Sequence, residues 1–150
     1  MASVARDSSL AVRNAMLALA KADAALVALV PKASIYTQWT AAVPPYPFIR
    51  SGPPSGVPIR GSCLDGLDIT LAWHAFSNGV RNTAGTITLP AEDHAGQIGA
   101  ALAKALDGKV AVIPGGKVKI RWTGSQLLQD PEESQVFHSI QSFRARAITA

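Results

Sequence analysis

Residues 67–77, LDITLAWHAFS, decide the fold of this chain. Leu67, Ile69, Leu71, Trp73 and Ala75 alternate with Asp68, Thr70, Ala72, His74 and Phe76. Successive side chains of an extended backbone point to opposite sides, so this period of two predicts a strand with one wholly apolar face. Such a face must be covered.

On either side of the strand lies a stretch that reads as loop. Residues 51–62 hold Pro53, Pro54 and Pro58 among Gly52, Gly56 and Gly61. Proline has no amide hydrogen to give a ladder, which excludes the centre of a sheet and predicts a projecting loop or hairpin arm. Residues 78–89 form a second long polar loop that opens on an Asn78-Gly79 turn. Loops this long in compact domains tend to be functional or disordered.

Two helices are expected to cover the strand. Asp7, Ser8 and Ser9 are capable N-caps, and a helix is predicted from there to Leu29, stopped by Pro31. Val12, Ala15, Leu19, Ala22, Leu26 and Leu29 share its buried face, and Asp7, Asn14 and Lys21 mark a narrow polar stripe. So wide an apolar arc implies either deep burial or contact with a neighbouring subunit. The second helix is predicted from Pro90 to Leu106 or Asp107, with Glu92 and Asp93 favourably placed on its dipole and Gly108 as a left-handed cap. Ala91, Ala95, Ile98, Leu102 and Ala105 form its core stripe, and Gly96, Gly99, Ala100 and Ala103 a strip almost free of side chains. Glycine inside a helix costs about 1 kcal/mol against alanine, so two of them need a close neighbour in compensation. The expected neighbour is the first helix, with another subunit as the alternative.

Shorter strands are predicted at 34–37, 48–50 and 110–113. Val118, Ile120 and Trp122 alternate with Lys117, Lys119 and Arg121 in another. After an Asp130-Pro131-Glu132-Glu133 turn, residues 135–148 alternate again, with Arg144 and Arg146 on the polar side. These elements make a single α+β domain over residues 1–150, a mostly antiparallel sheet of about four to five strands packed against two helices.

Composition limits what such a domain does. A chain of 150 residues buries roughly 70% of its unfolded surface. With 48% hydrophobic and only 16% charged residues, part of its surface is expected to be covered by partners. The net charge of +4 permits contact with nucleic acid or acidic proteins without arguing strongly for either. One cysteine, Cys63, excludes an internal disulfide and a cysteine-based zinc site, and suits a reducing compartment. The apolar run at 15–30 carries Lys21 and Asp23 and is too short and too charged to span a membrane.

No catalytic constellation emerges, and no cofactor or metal is expected. His74 and His138 lie on strands that can pair, but no third ligand accompanies them. Gly115-Gly116-Lys117 lacks the rest of a phosphate-binding loop and precedes a strand instead of a helix. Cys63 has no neighbouring base, and nothing beside Asp65 and Asp68 suggests acid–base work. The basic set Lys117, Lys119, Arg121, Arg144 and Arg146 forms one positive face if the last two strands pair. That face is open to three readings: a solvated surface, a contact with an acidic protein, or a DNA-facing surface.

The run Asp23-Ala24-Ala25-Leu26-Val27-Ala28-Leu29-Val30, then Ile35-Tyr36, then Pro44-Pro45-Tyr46-Pro47-Phe48-Ile49 resembles the tail terminator, or tail completion, proteins of long-tailed (siphovirus-type) phages and gene transfer agents. So do the Leu-Asp-Ile-Thr-Leu-x-Trp strand at 67–73, a helix ending in Ala-Leu-Asp-Gly, and the Asp-Pro turn before a long final strand. The resemblance covers roughly residues 10–147 and rests on the order of these segments, not on any one motif. It implies a structural subunit, not an enzyme, that forms a ring, typically of six, at the head-proximal end of the tail tube. The ring ends tube polymerisation and presents a surface to the head-completion or stopper protein, with DNA passing through its lumen. Its place is then the tail–neck region of the virion, after assembly in the host bacterial cytoplasm and without a membrane.

The loop at 78–89 departs from the family pattern by its length. Within this resemblance Pro53, Pro54, Val57, Pro58 and Arg60 are candidate partner contacts, and the Gly96, Gly99, Ala100 and Ala103 strip is a candidate subunit contact. The basic set either lines the lumen or meets an acidic partner. Another neck component, such as a head–tail joining protein, is the structural alternative, and a basic nucleic-acid-binding domain is the rival from another class.

Overall fold

The computed structural model describes residues 6–40 and 42–149; positions 1–5, 41 and 150, which the single-domain reading includes, lie outside the described residues. The chain runs α1 (Ser9–Ala22), α2 (Ala24–Leu29), a 3-10 turn (Lys32–Ser34), β1 (Ile35–Tyr36), β2 (Phe48–Ser51), β3 (Ser55–Arg60), β4 (Asp65–Ser77), β5 (Val80–Arg81), β6 (Ile87–Leu89), α3 (Ala91–Leu106), β7 (Val110–Ile113), β8 (Gly116–Gln129) and β9 (Phe137–Thr149). The alternating stretch is β4, as expected. It pairs antiparallel with β9 over its whole length, from Asp65 opposite Thr149 to Ser77 opposite Phe137.

The sheet is larger than four or five antiparallel strands, and it is mixed. Seven strands follow the order β1-β2-β4-β9-β8-β7, with β3 also paired to β4. β1 and β2 run parallel, because the proline-rich connection between them is long enough to carry the chain back to its starting end. β3 is the stretch expected to project as a loop. Its prolines are tolerated because it lies at an edge, beside the first half of β4, while β2 occupies the second half. The other expected loop, 78–89, contains a small two-stranded sheet of β5 and β6.

The first helix is also corrected, from one element to two, which makes three α-helices among the described residues. Asp23 interrupts it: its carboxylate accepts a hydrogen bond from the Leu26 amide at 2.9 Å and so caps α2. The buried line of α1 is Val12, Met16 and Ala20, shifted by one position from the expected face, with Ala15 and Leu19 only half-buried and Ala22 exposed. α3 forms where expected, and Gly108 beyond it takes a positive φ of 73°.

All three helices lie against the same face of the sheet. There Leu67, Ile69, Leu71, Trp73 and Ala75 of β4 and Phe143, Ala145 and Ala147 of β9 meet Ile98, Leu102 and Leu106 of α3 and Val12 and Met16 of α1. Each of the Val, Leu, Ile, Met and Phe side chains among them contributes roughly 1.5–3 kcal/mol on burial. Among the described residues no helix covers the opposite face. Its own apolar cluster is confined to one end, where Phe48, Phe76 and Val136 pack with Tyr36 and Tyr46.

Candidate assembly interface

The pairing register lays out the helix-free face in rows. In one row Val110 of β7, Lys119 of β8, Arg146 of β9, Asp68 of β4 and Val57 of β3 stand side by side. The next row away from the β7–β8 turn holds Arg121, Arg144, Thr70 and Ser55. All five expected cations therefore share one surface, and Lys119, Arg121, Arg144 and Arg146 line a shallow groove in it with Ile148. Arg144 is tied down: its Nε donates to Asp68 Oδ1 at 2.8 Å and its Nη2 contacts Oδ2. These bonds hold the Asp68 carboxyl below its ordinary pKa. Arg146 reaches Asp68 at 3.9 Å. Among the described residues no carboxylate pairs with Lys117, Lys119 or Arg121.

The small-residue strip of α3 divides. A Cβ built on Gly99 would collide with Ser139 Oγ and lie 2.6 Å from Gln141 Nε2, so this glycine lets the helix settle onto β9. Its close neighbour is the sheet and not the first helix. Gly96, Ala100 and Ala103 instead line an open groove whose far wall is Trp122 and Leu127 of β8. Trp122 donates its indole N–H to Gln141 Oε1 at 2.9 Å, and Gln141 in turn donates to Ser139 Oγ at 2.9 Å. The sequence reading missed this groove because a bulge between Trp122 and Gly124 hides it. Beyond the bulge, Ser125 and Leu127 oppose Gln141 and Ser139 on the helix side, a five-residue offset from Trp122 to Leu127 that simple alternation does not anticipate.

The proline-rich arm is exposed nearly throughout. Val57 is 66% exposed, Pro58 and Arg60 are exposed as well, and Pro54 borders a depression shared with the start of α1. At the opposite edge of the sheet Val110 and Val112 of β7 are 58% and 80% exposed. Cys63 is exposed in the turn from β3 to β4.

The histidines are structural. His74 Nδ1 and His138 Nε2 lie 2.6 Å apart, and the His138 ring stacks on Phe76 at 4.3 Å between centroids. Burial, and then the charges of His138 and Arg50, lower the His74 pKa to about 4, so the pair is neutral at pH 7. Among the described residues no group of three or more His, Cys, Asp or Glu is placed to hold a metal ion. His94 lies 2.7 Å by its Nδ1 from Ser77 Oγ, which also accepts from the Gly79 amide. Ser77 is fully buried, and the pair ties α3 to the end of β4. No described helix is long and apolar enough to cross a membrane.

The sheet thus carries helices on one face and exposes cations and edge valines on the other. The family model for tail completion protein gp17 matches residues 14–148, and the chain belongs to that family. It is thus a structural tail or neck component and not an enzyme. Among solved structures it is similar to a chain in the virion of a native gene transfer agent (GTA) particle, with a TM-score of 0.73 and 21% identity, over 96% of this chain and 99% of that one. At that identity the likeness is one of fold. No curated protein sequence matches the chain.

Proposed function

We propose that the protein forms a homo-oligomeric ring, of six copies as the family resemblance implies, at the head-proximal end of the tail tube. The ring ends tube polymerisation and joins tail to head, acting by contact alone. One observation supports this reading beyond the family: two edges of one sheet expose different surfaces, Val110 and Val112 on β7 and the proline-rich Val57-Pro58 on β3. A cyclic assembly joins two different patches on successive copies, whereas a two-fold dimer uses one patch twice. Its other partners in this reading are the tail tube protein on one side and a head-completion or stopper protein on the other. DNA is met only in transit through the lumen, and the site of action is the tail–neck region of the virion. The proline-rich arm, with Pro53, Pro54 and Arg60 beside Val57 and Pro58, is the contact offered to these neighbours.

The test is the mass of the purified protein, alone and mixed with isolated tail tubes, together with tube lengths by electron microscopy. Rings at one tube end and a narrow length distribution are expected. A strict monomer that leaves tube length unregulated defeats the reading. A protein that binds heads while tubes overgrow is a head–tail joining protein instead.

A further inference from the structure

The basic rows and the β8–β9 turn are two ends of one ribbon, and they carry opposite charge. The turn holds Asp130, Glu132 and Glu133, all in a short exposed loop fixed by its own hydrogen bonds. Asp130 Oδ1 accepts from the Glu132 and Glu133 amides at 2.8 and 3.2 Å, and Gln129 Nε2 donates to the Ser134 carbonyl at 2.7 Å. Just before it, Leu127 and Leu128 are each 43% exposed. A rigid knob of carboxylates beside exposed leucines is thus presented at one end. At the other end, lysines and arginines stand in the same rows as exposed valines. Each surface is the chemical complement of the other.

A single chain cannot bring them together. From Arg121 to Gln129 the strand advances roughly 27 Å at about 3.4 Å per residue. Contact between them therefore requires a second molecule. DNA is the poorer occupant of the basic face, since a phosphate backbone gains nothing from Val110 and Val112 beside Lys119 and Lys117, and a protein surface with leucines does.

Resting on the reading that this chain assembles with itself, we infer that the acidic β8–β9 turn of one copy docks on the basic face of β8 and β9 of the next, head to tail. The experiment uses the full chain in two reversed forms. One carries Lys119→Glu, Arg121→Glu and Arg146→Glu; the other carries Glu132→Lys and Glu133→Lys. Asp130 and Arg144 are left intact, because the first shapes the turn and the second is bound to Asp68. Thermal melts establish that both forms fold.

Self-association is then followed by sedimentation, free in solution and on isolated tail tubes. Exposed pairs are individually weak and screened by salt, so each form alone should associate roughly tenfold or more weakly than wild type at low salt. A one-to-one mixture should recover wild-type association, since the reversed face of one form now fits the reversed turn of the other. Wild-type association by either form alone, or a mixture that recovers nothing, overturns the contact while leaving a ring formed by other surfaces intact. Loss of duplex DNA binding in the face-reversed form, with its self-association unchanged, overturns it in favour of nucleic acid. A wild type that stays monomeric on tubes of unregulated length defeats the ring reading itself.

Discussion

β4 and β9 share one backbone ladder and show two faces that obey different rules. On the helix side the apolar residues between the strand ends are buried: β4 supplies Leu67, Ile69, Leu71, Trp73 and Ala75, and β9 supplies Phe143, Ala145 and Ala147. On the other side the same strands pass from stacked rings at Phe76 and His138, through Ala72 and Ser142, to Asp68, Arg144 and Arg146. The first face holds the fold together by removing apolar area from water. The second is the face that the proposed assembly would use, since it sets cations beside the exposed valines of the neighbouring edge strands. Under the proposed assembly, stability and self-association fall on opposite sides of one sheet, which makes them separable by mutation.

The largest effect should come from the inner face. Trp73→Ala removes a side chain with 0% exposure and should lower unfolding stability by about 3–5 kcal/mol in urea titrations. Thr70→Ala, on the outer side of the same strand, should stay within about 0.5 kcal/mol. Equal losses would erase the distinction between the faces.

Intermediate effects are expected from the two glycines of α3, with opposite signs. Gly99→Ala forces a methyl against Ser139 and Gln141 and should destabilise by about 1–3 kcal/mol. At Gly96 the nearest atom to an added Cβ is Leu127 Cδ2 at 3.8 Å, ordinary contact, so Gly96→Ala should stabilise by up to about 1 kcal/mol through helix propensity. Thermal melts of the two variants check this, and destabilisation by both would show that the groove beside Gly96 is filled.

The smallest effect concerns acid. His74 takes a proton in the folded state only near pH 4, whereas an unfolded histidine does so near 6.5. Between those values the unfolded chain binds more protons, so the stability His74 contributes is full above about pH 6.5 and is lost as pH falls towards 4. Melting temperatures at pH 7.5 and 4.5 should therefore fall less for His74→Gln than for wild type. An equal fall would place the acid sensitivity elsewhere.

The sequence made the inner face legible and much of the outer face illegible, for physical reasons. A buried strand declares itself by alternation, and residues 67–77 did so along nearly all of β4. α3 carried its cap signals and its stripe. The cations could be named from sequence, but only the register shows that Lys119 opposes Arg146 and Arg121 opposes Arg144. The break at Asp23 was masked because apolar spacing continues across it, although an aspartate three residues before Leu26 is itself a cap signal. β3 was hidden by its prolines, which exclude a central strand and permit an edge. The aromatic cluster under Tyr36 and Tyr46 joins segments distant in sequence, and no local pattern announces it.

The bulge at Trp122–Gly124 has one further consequence. It acts as a phase shifter in the longest ribbon of the molecule. Upstream of it the ribbon's outer side spells charge, and downstream the same alternation is advanced by one, which turns Leu127 inward and Leu128 outward. Deleting Thr123 would restore a single rhythm without disturbing any partner on β9, so Leu127 would stay inward, Leu128 outward, and Lys119 and Arg121 where they are. One extra residue thus lets two stretches of opposite sequence parity share one continuous ladder.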